Sequence, residues 1–531
     1  MRSWKIYAVC AAAFLVLAGL AAGQEVPVGP TDQMGVTLRS TTTLIQVSVA
    51  AHDAKGLSVR DLKKEDFEVL DNGKARPTAV FFPEQSTSFA HRQAEPSTFT
   101  NEFAETIGAR GGYVIIVLDW LNTGIEHTNT ARQYVIRMLN QAGPGDKVAL
   151  YVLDRLGLRV LNEFGSDMVA LMRRVATYYG RSSPDDRLSP GADERAFFPG
   201  DAPDKVNPQM LQGEHNFIMD QRIGDTLKAF EGLADRLAGV PGRKGVIWVS
   251  SAFPTSMTLR PAGGSLFPGA QGADVRSYGA AVDRALRKLN NADVVLYPVA
   301  PAGVGGPAFP QTMDQLASRT GGLAYHLNDP DTGMRRALDD VREGYTLGFY
   351  APQDAPDVGF HRLTVRVRRP GVKLRYREGY SMERPIDLAP EDRKVRVTSA
   401  LISPVDSTAI PIQLKADRNG NGLALRIVLE LPSLGLVPAG DHWQGKIDLV
   451  MRFAVDNGEE SGSPSSETID FDLGQKSYEA AVRDVLALPR TQRIPPGATR
   501  LRILVMNDRT GQTGTLTIPL AAITGNQNSG Q

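Results

Sequence analysis

The stretch that most limits what this chain can become is residues 113–118, the unbroken apolar run Tyr-Val-Ile-Ile-Val-Leu that stops at Asp119. A strand with one wet face alternates apolar and polar residues. A run without alternation is expected where a sheet is covered on both faces, as parallel sheets are. The chain beyond Asp119 has the matching grammar. Residues 128–141 carry Val135, Met138 and Leu139 on one helical face, and Gly143-Pro144-Gly145-Asp146 breaks that helix. Residues 147–153 read as a second buried strand. Residues 158–164 read as a third, with a connection short enough to pair antiparallel. Helices are expected at 167–179, 223–237, 275–289, 313–319 and 332–342, and strands at 245–249, 294–299 and 322–325. Residues 180–215 and 254–272, rich in Gly, Pro, Ser and Asp, read as loops. Strands alternating with helices predict a doubly wound, Rossmann-type α/β sheet over residues 111–344.

The flanks read as β structure. In a module at 41–83, residues 43–51 alternate, 57–62 and 67–70 continue the pattern, and Asp71-Asn72-Gly73 is a tight-turn signal before 78–82. Residues 84–110 read as a linker. After Gly344 the helices stop, and strands at 345–350, 363–368 and 373–376 form an extension over 345–382. A linker at 383–395 leads to an immunoglobulin-like β domain at 396–525, with turns at Asn419-Gly420-Asn421-Gly422, Asp456-Asn457-Gly458 and Thr510-Gly511. Residues 526–531 read as a disordered tail. The fold class is therefore multidomain α/β plus β.

The beginning of the chain reads as a signal peptide over 1–23. Arg2 and Lys5 precede the apolar residues 6–20, and Ala21 and Gly23 give the spacing a signal peptidase needs, so a linker at 24–40 opens the mature chain. No later segment is apolar enough to span a bilayer. Secretion or a periplasmic location is expected. The single cysteine, Cys10, falls inside that signal, which leaves no thiol for disulfides, catalysis or zinc. Lys+Arg and Asp+Glu are both 59, so the chain as a whole carries no basic field for nucleic acid, which leaves only a local patch open.

Several spaced blocks share one order: Leu118-Asp119-Trp120-Leu121-Asn122-Thr123, Gly145 to Val152 (Gly-Asp-Lys-Val-Ala-Leu-Tyr-Val), Pro241 to Trp248 (Pro-Gly-Arg-Lys-Gly-Val-Ile-Trp), Tyr297-Pro298-Val299 and Thr320-Gly321-Gly322. Tyr345 to Tyr350 and Arg377-Glu378-Gly379-Tyr380 continue it. In this order the chain resembles von Willebrand factor type A domains, and more closely the related proteins of acidobacteria. The resemblance covers about residues 42–382. It implies a metal-ion-dependent adhesion site where the sheet strands end, built on Asp-x-Ser-x-Ser with a Thr and an Asp from later loops. Mg²⁺ held there by hard oxygen ligands would leave one position for a partner's carboxylate.

In this chain the motif reads Asp119-Trp120-Leu121-Asn122-Thr123. Asp119 and Thr123 match, and Thr226 is the candidate for the later Thr. Leu121 stands where the first Ser is expected, and Ser250-Ser251-Ala252 stands where the later Asp is expected. The site is degenerate, with Asp119, Thr123 and Thr226 as the residual ligands for Mg²⁺. The other reading has Asp119 cap the turn while Asn122 and Thr123 hydrogen-bond the loop. Trp120, Asn122 and Gly124 are the residues expected to meet a partner.

Other motifs are weaker. Gly303 to Ala308 fits a dinucleotide-binding spacing, but Pro307 removes an N–H that phosphates would need. Asp417 to Gly422 resembles the start of a calcium loop, but Val428 stands where its closing Glu belongs, so it reads as a hairpin turn. The arginines between Arg362 and Arg377 form either a solvated sheet face or an anion patch. No histidine pair, nucleophile elbow or phosphate loop points to an enzyme. The expected function is a non-enzymatic protein-binding or adhesion-type role with an unknown protein partner. The alternatives are a metal-free structural scaffold of the cell envelope and, with least support, a secreted hydrolase.

Overall fold

The computed structural model of the chain describes residues 44–523 apart from 84–96, 103–112, 143–145, 166, 179–207, 241, 252, 254–255, 260–273, 302–309, 326–329, 352–358, 383–388, 404, 456–459 and 484–485. The expected signal peptide, the linker at 24–40, the 526–531 tail, Gly303 to Ala308 and the turn at Asp456-Asn457-Gly458 lie outside the described residues.

At the centre stands a five-stranded sheet. Its order is Val294–Val299, Lys244–Val249, Tyr113–Asp119, Lys147–Asp154, Gly157–Gly165. The first four strands run parallel and the last is antiparallel to its neighbour, as the short connection requires. Every residue of Tyr113–Asp119 is buried. Side chains of a strand point alternately to its two faces, so the run divides between two cores. Tyr113, Ile115 and Val117 pack with Leu227, Phe230 and Leu233 of the helix Pro208–Leu237 and with Leu286 and Leu289 of Gly279–Asn291. Val114, Ile116 and Leu118 pack with Val135 and Met138 of Ile125–Leu139, Leu171 of Met168–Thr177, and Leu338 and Val341 of Pro330–Arg342. Helices thus cover both faces.

Within the α/β domain, local readings needed correction at three places. The strand expected at 322–325 is a single parallel bridge between Val299 and Tyr325. The helix read from 275 begins only at Gly279, because Asp274–Ser277 pairs antiparallel with Ser256–Leu259 inside the stretch read as loop. The helix read from 223 begins at Pro208, within the expected 180–215 loop.

The two β segments that flank this domain in sequence pair with one another. Leu44–His52 lies between Tyr345–Tyr350 and Lys373–Tyr376, with Val80–Pro83 on the far side of Tyr345–Tyr350. A second sheet runs Gly379–Met382, Gly359–Val367, Phe67–Asp71, Lys74–Arg76. Val47, Val49, Phe67 and Val69 from before the α/β domain share one core with Leu347, Phe349, Leu363 and Val365 from after it. The Phe67 and Tyr345 rings lie 5.2 Å apart across that seam. The turn at Asn72-Gly73 is formed as its residue types demand, with φ of 48° and 79°.

The C-terminal region is a sandwich of two antiparallel sheets. One runs Leu486–Arg493, Gly422–Leu429, Ile412–Asn419, Thr98–Thr100, and the other Val437–Ala439, His442–Ala454, Arg500–Asn507, Thr513–Pro519, with Ser465–Gly474 also on His442–Ala454. Leu414, Leu425, Leu449 and Val505 lie in the core between them. Thr98–Thr100 therefore belongs to a sheet although it sits in the segment read as the 84–110 linker. Its neighbour Asn101 fixes it, donating to Ser407 O at 2.8 Å and accepting from Ile412 N at 2.7 Å. The helix Pro390–Ile402 likewise begins inside the 383–395 segment read as a linker. It lays Val397 and Leu401 on Val450, Leu504 and Met506.

Both β regions are joined to the same end of the α/β domain. Arg377 donates to Asn290 O and Gln46 O, and Ser48 donates to Asp293, just before the strand that begins at Val294. Asp340 accepts from His52 at 2.6 Å and from Arg375 at 2.5 Å. From the C-terminal sandwich, Thr408 binds Asp235 O at 3.0 Å and Arg236 O at 2.9 Å, where the helix Pro208–Leu237 ends. These contacts lie where the parallel strands begin. The strands finish at the opposite end, at Asp119, Asp154, Val249 and Val299.

Candidate functional site

The first central strand delivers Asp119 to that opposite end, fully buried. A carboxylate taken out of water is tolerated only if donors replace the water. Here the backbone N–H of Asn122 donates to Oδ1 at 3.0 Å. Oδ2 accepts from Asn122 Nδ2 at 2.8 Å, Trp248 Nε1 at 2.9 Å and Ser250 Oγ at 2.8 Å. Burial pushes the Asp119 carboxyl above the usual carboxylate range, and the bonds from Asn122, Ser250 and Trp248 pull against that without reversing it. Trp248 and Ser250 come from the neighbouring strand, Lys244–Val249, and the residue after it. Parallel pairing of Leu118 with Val249 brings them alongside.

The loop after Asp119 is tied down residue by residue. Trp120 and Leu121 donate backbone N–H groups to Leu153 O at 2.8 and 3.1 Å. The Leu121 side chain packs into one core, and its carbonyl accepts from Arg222 Nε at 2.7 Å. Thr123 Oγ1 accepts from Ser251 N at 3.3 Å. Thr226, fully buried on the helix Pro208–Leu237, donates to Arg222 O at 2.8 Å and accepts from Asn122 Nδ2 at 2.8 Å. Gly124 then opens the helix Ile125–Leu139 from an extended conformation, with no side-chain cap.

The structure thus gathers Asp119, Asn122 and Thr226 into one hydrogen-bonded unit and ties Thr123 to Ser251. Three further members escaped the sequence reading: Trp248, Ser250 and Arg222. Arg222 carried one faint signal, its spacing of four from Thr226 on a helix. The partner-contact expectation needs correction for two residues. Trp120 is only 7% exposed and Asn122 8%, because the indole packs into the core on one face of the sheet while the amide turns inward to Asp119. Arg132 covers the Trp120 ring at 5.6 Å. Gly124 remains half-buried, and in the neighbouring hairpin turn Leu156 is 59% exposed.

These residues do not fit a bound Mg²⁺. A hard cation needs oxygen lone pairs converging on one point, with little else to satisfy them. Both Asp119 oxygens already accept hydrogen bonds, Leu121 offers no side-chain oxygen, and an NH₂ group lies between Asp119 and Thr226. Among the described residues no group of three or more His, Cys, Asp or Glu side chains is placed to hold a metal ion.

The other candidate sites resolve into structure. Asp417 to Gly422 spans the end of Ile412–Asn419, a turn with Gly420 at φ 57°, and the start of Gly422–Leu429. The arginines of 362–377 are parcelled out. Arg366 meets Glu68 at 3.4 Å, Arg369 meets Asp61 at 2.6 Å, Arg375 meets Asp340, and Arg377 is buried. No helix of the described residues is long and apolar enough to cross a membrane.

No family model matches the chain, and no curated protein matches it. Solved structures do. A von Willebrand factor type A protein from Catenulispora acidiphila is 11% identical, with a TM-score of 0.24 over 85% of this chain and 75% of that one. An aerotolerance-related membrane protein from Bacteroides fragilis is 11% identical, with a TM-score of 0.26 over 44% of this chain and 98% of that one. The pilus adhesin SpaC from Lactobacillus rhamnosus GG is 8% identical, with a TM-score of 0.24 over 77% and 54%.

Proposed function

We propose that this is an exported, non-enzymatic protein-binding or adhesion-type protein, built on a von Willebrand factor A-like domain of the acidobacterial kind. Its partner is a protein, met at the end of the sheet where Asp119 lies. One observation carries the reading. Both β regions attach where the parallel strands begin, so the described loops at the strand ends keep a prearranged rim with Gly124 half-buried and Leu156 exposed. Open α/β sheets bind their ligands at that end. Export is supported by Arg2, Lys5 and the apolar residues 6–20. A metal-free envelope scaffold is the second reading, favoured by the polar joints at Arg377, Asp340 and Thr408.

The test is retention of envelope proteins on the immobilised chain, compared with Leu156→Glu at the rim and Lys415→Glu on the C-terminal sandwich. The binding reading expects a specific protein retained by wild type and Lys415→Glu and lost with Leu156→Glu. Identical retention by all three would contradict it and leave the scaffold.

A further inference from the structure

We propose that the side-chain amide of Asn122 takes the place of a cation in this site, so that the loop at the strand ends is locked without metal. Nδ2 lies 2.8 Å from Asp119 Oδ2 and 2.8 Å from Thr226 Oγ1, two groups that the resemblance would assign to a magnesium ion. The orientation of the amide is dictated by its partners. Thr226 spends its only proton on Arg222 O, so towards Asn122 it can only accept. Oδ2 of Asp119 already accepts from Trp248 and Ser250. Both neighbours therefore demand a donor, and an NH₂ group supplies two protons from one atom.

The sequence allows this because of its neighbours. With Leu121 in the core instead of a hydroxyl, nothing holds an ion from the middle of the motif. Asn122 can turn inward, its own backbone N–H capping Asp119 at 3.0 Å. An amide is neutral, so the carboxylate is balanced by four donors rather than by opposite charge. The cross-link ties the end of the first strand to the helix Pro208–Leu237, the task a shared metal ion would perform. Only the consequence for recognition, that partner binding ignores chelators, rests on the binding reading above.

The test uses the full chain and no partner, so its failure is distinct from failure of that reading. Mn²⁺ binding is titrated by electron paramagnetic resonance, and thermal unfolding is compared in about 10 mM Mg²⁺ and in EDTA. A site of about 0.1 mM affinity would shift unfolding by about 5 °C or more under those conditions. Wild type is expected to show no saturable Mn²⁺ and no shift. The double variant Leu121→Ser/Asn122→Ser, which removes the amide and restores the hydroxyl, is expected to bind one Mn²⁺, lost again on adding Asp119→Asn. One saturable Mn²⁺ in wild type, abolished by Asp119→Asn, overturns the proposal. So does a folded double variant that ignores Mn²⁺. If the double variant does not fold, the wild-type titration decides by the same criterion.

Discussion

Truncating Asn122 to alanine removes two hydrogen bonds and leaves both partners buried. The bond to the Asp119 carboxylate is charge-assisted, about 1.5–3 kcal/mol, and the one to Thr226 is neutral, about 1 kcal/mol, so Asn122→Ala is expected to cost about 3 kcal/mol. The backbone bond from residue 122 to Oδ1 survives, and so do those from Trp248 and Ser250, so the fold itself should persist. The assay is urea unfolding followed by tryptophan fluorescence in a Trp4→Phe/Trp443→Phe background. The remaining indoles, Trp120 and Trp248, then report on the α/β domain alone. For a domain of this size the midpoint should fall by about 1 M urea at unchanged slope. A fall under about 0.3 M would refute the reasoning, since it would mean the amide makes no net contribution to the buried carboxylate.

Asn122→Asp puts a second carboxylate against Asp119. It should be less stable than Asn122→Ala at neutral pH and be rescued by millimolar Mn²⁺, whereas Asn122→Ala should gain less; thermal scans with and without Mn²⁺ check this. Asp340 supplies a pH dependence. Burial raises its carboxyl, but the His52 hydrogen bond and the Arg375 and Arg243 charges outweigh that and hold it below the usual carboxylate range. A depressed carboxyl stabilises above its unfolded value and ceases to as pH falls through the folded one, so the joint should loosen below about pH 4. Amide exchange in Leu44–His52 and Lys373–Tyr376 should rise there, and Asp340→Asn should flatten that pH response. Gly239→Ala would drive a Cβ into the Thr408 carbonyl oxygen. It is expected to cost about 1–3 kcal/mol and to speed proteolysis between the α/β domain and the C-terminal sandwich, with Gly224→Ala, which meets open space, as the control.

How much of this could be read from residues alone depends on the range of the interactions. The burial of residues 113–118 was legible because a strand covered on both faces is apolar at every position. The Asn72-Gly73 turn was legible because few residues accept positive φ twice in succession. What failed was pairing over distance. Leu44–His52 alternates well enough to announce a strand, but nothing in it names Tyr345–Tyr350 as its partner. Thr98–Thr100 is too short to show any period, and its place on the C-terminal sheet depends on long-range pairing with Ile412–Asn419 and on Asn101, bonded to Ser407 and Ile412. At the site, the losses at Leu121 and Ser251 were visible as a missing hydroxyl and a missing carboxylate. Loop hydrogen bonding by Asn122 was expected, but not the bond to Thr226, because contact between those residues depends on how the helix Pro208–Leu237 lies on the sheet.

The most direct measurement is a crystal structure with anomalous data from Mn²⁺-soaked crystals, examined beside Asp119. The predicted result is Asn122 Nδ2 within hydrogen-bond distance of Asp119 and Thr226, and no anomalous peak between them. A manganese peak bonded to the Asp119 carboxylate, with the Asn122 side chain turned away, would contradict it.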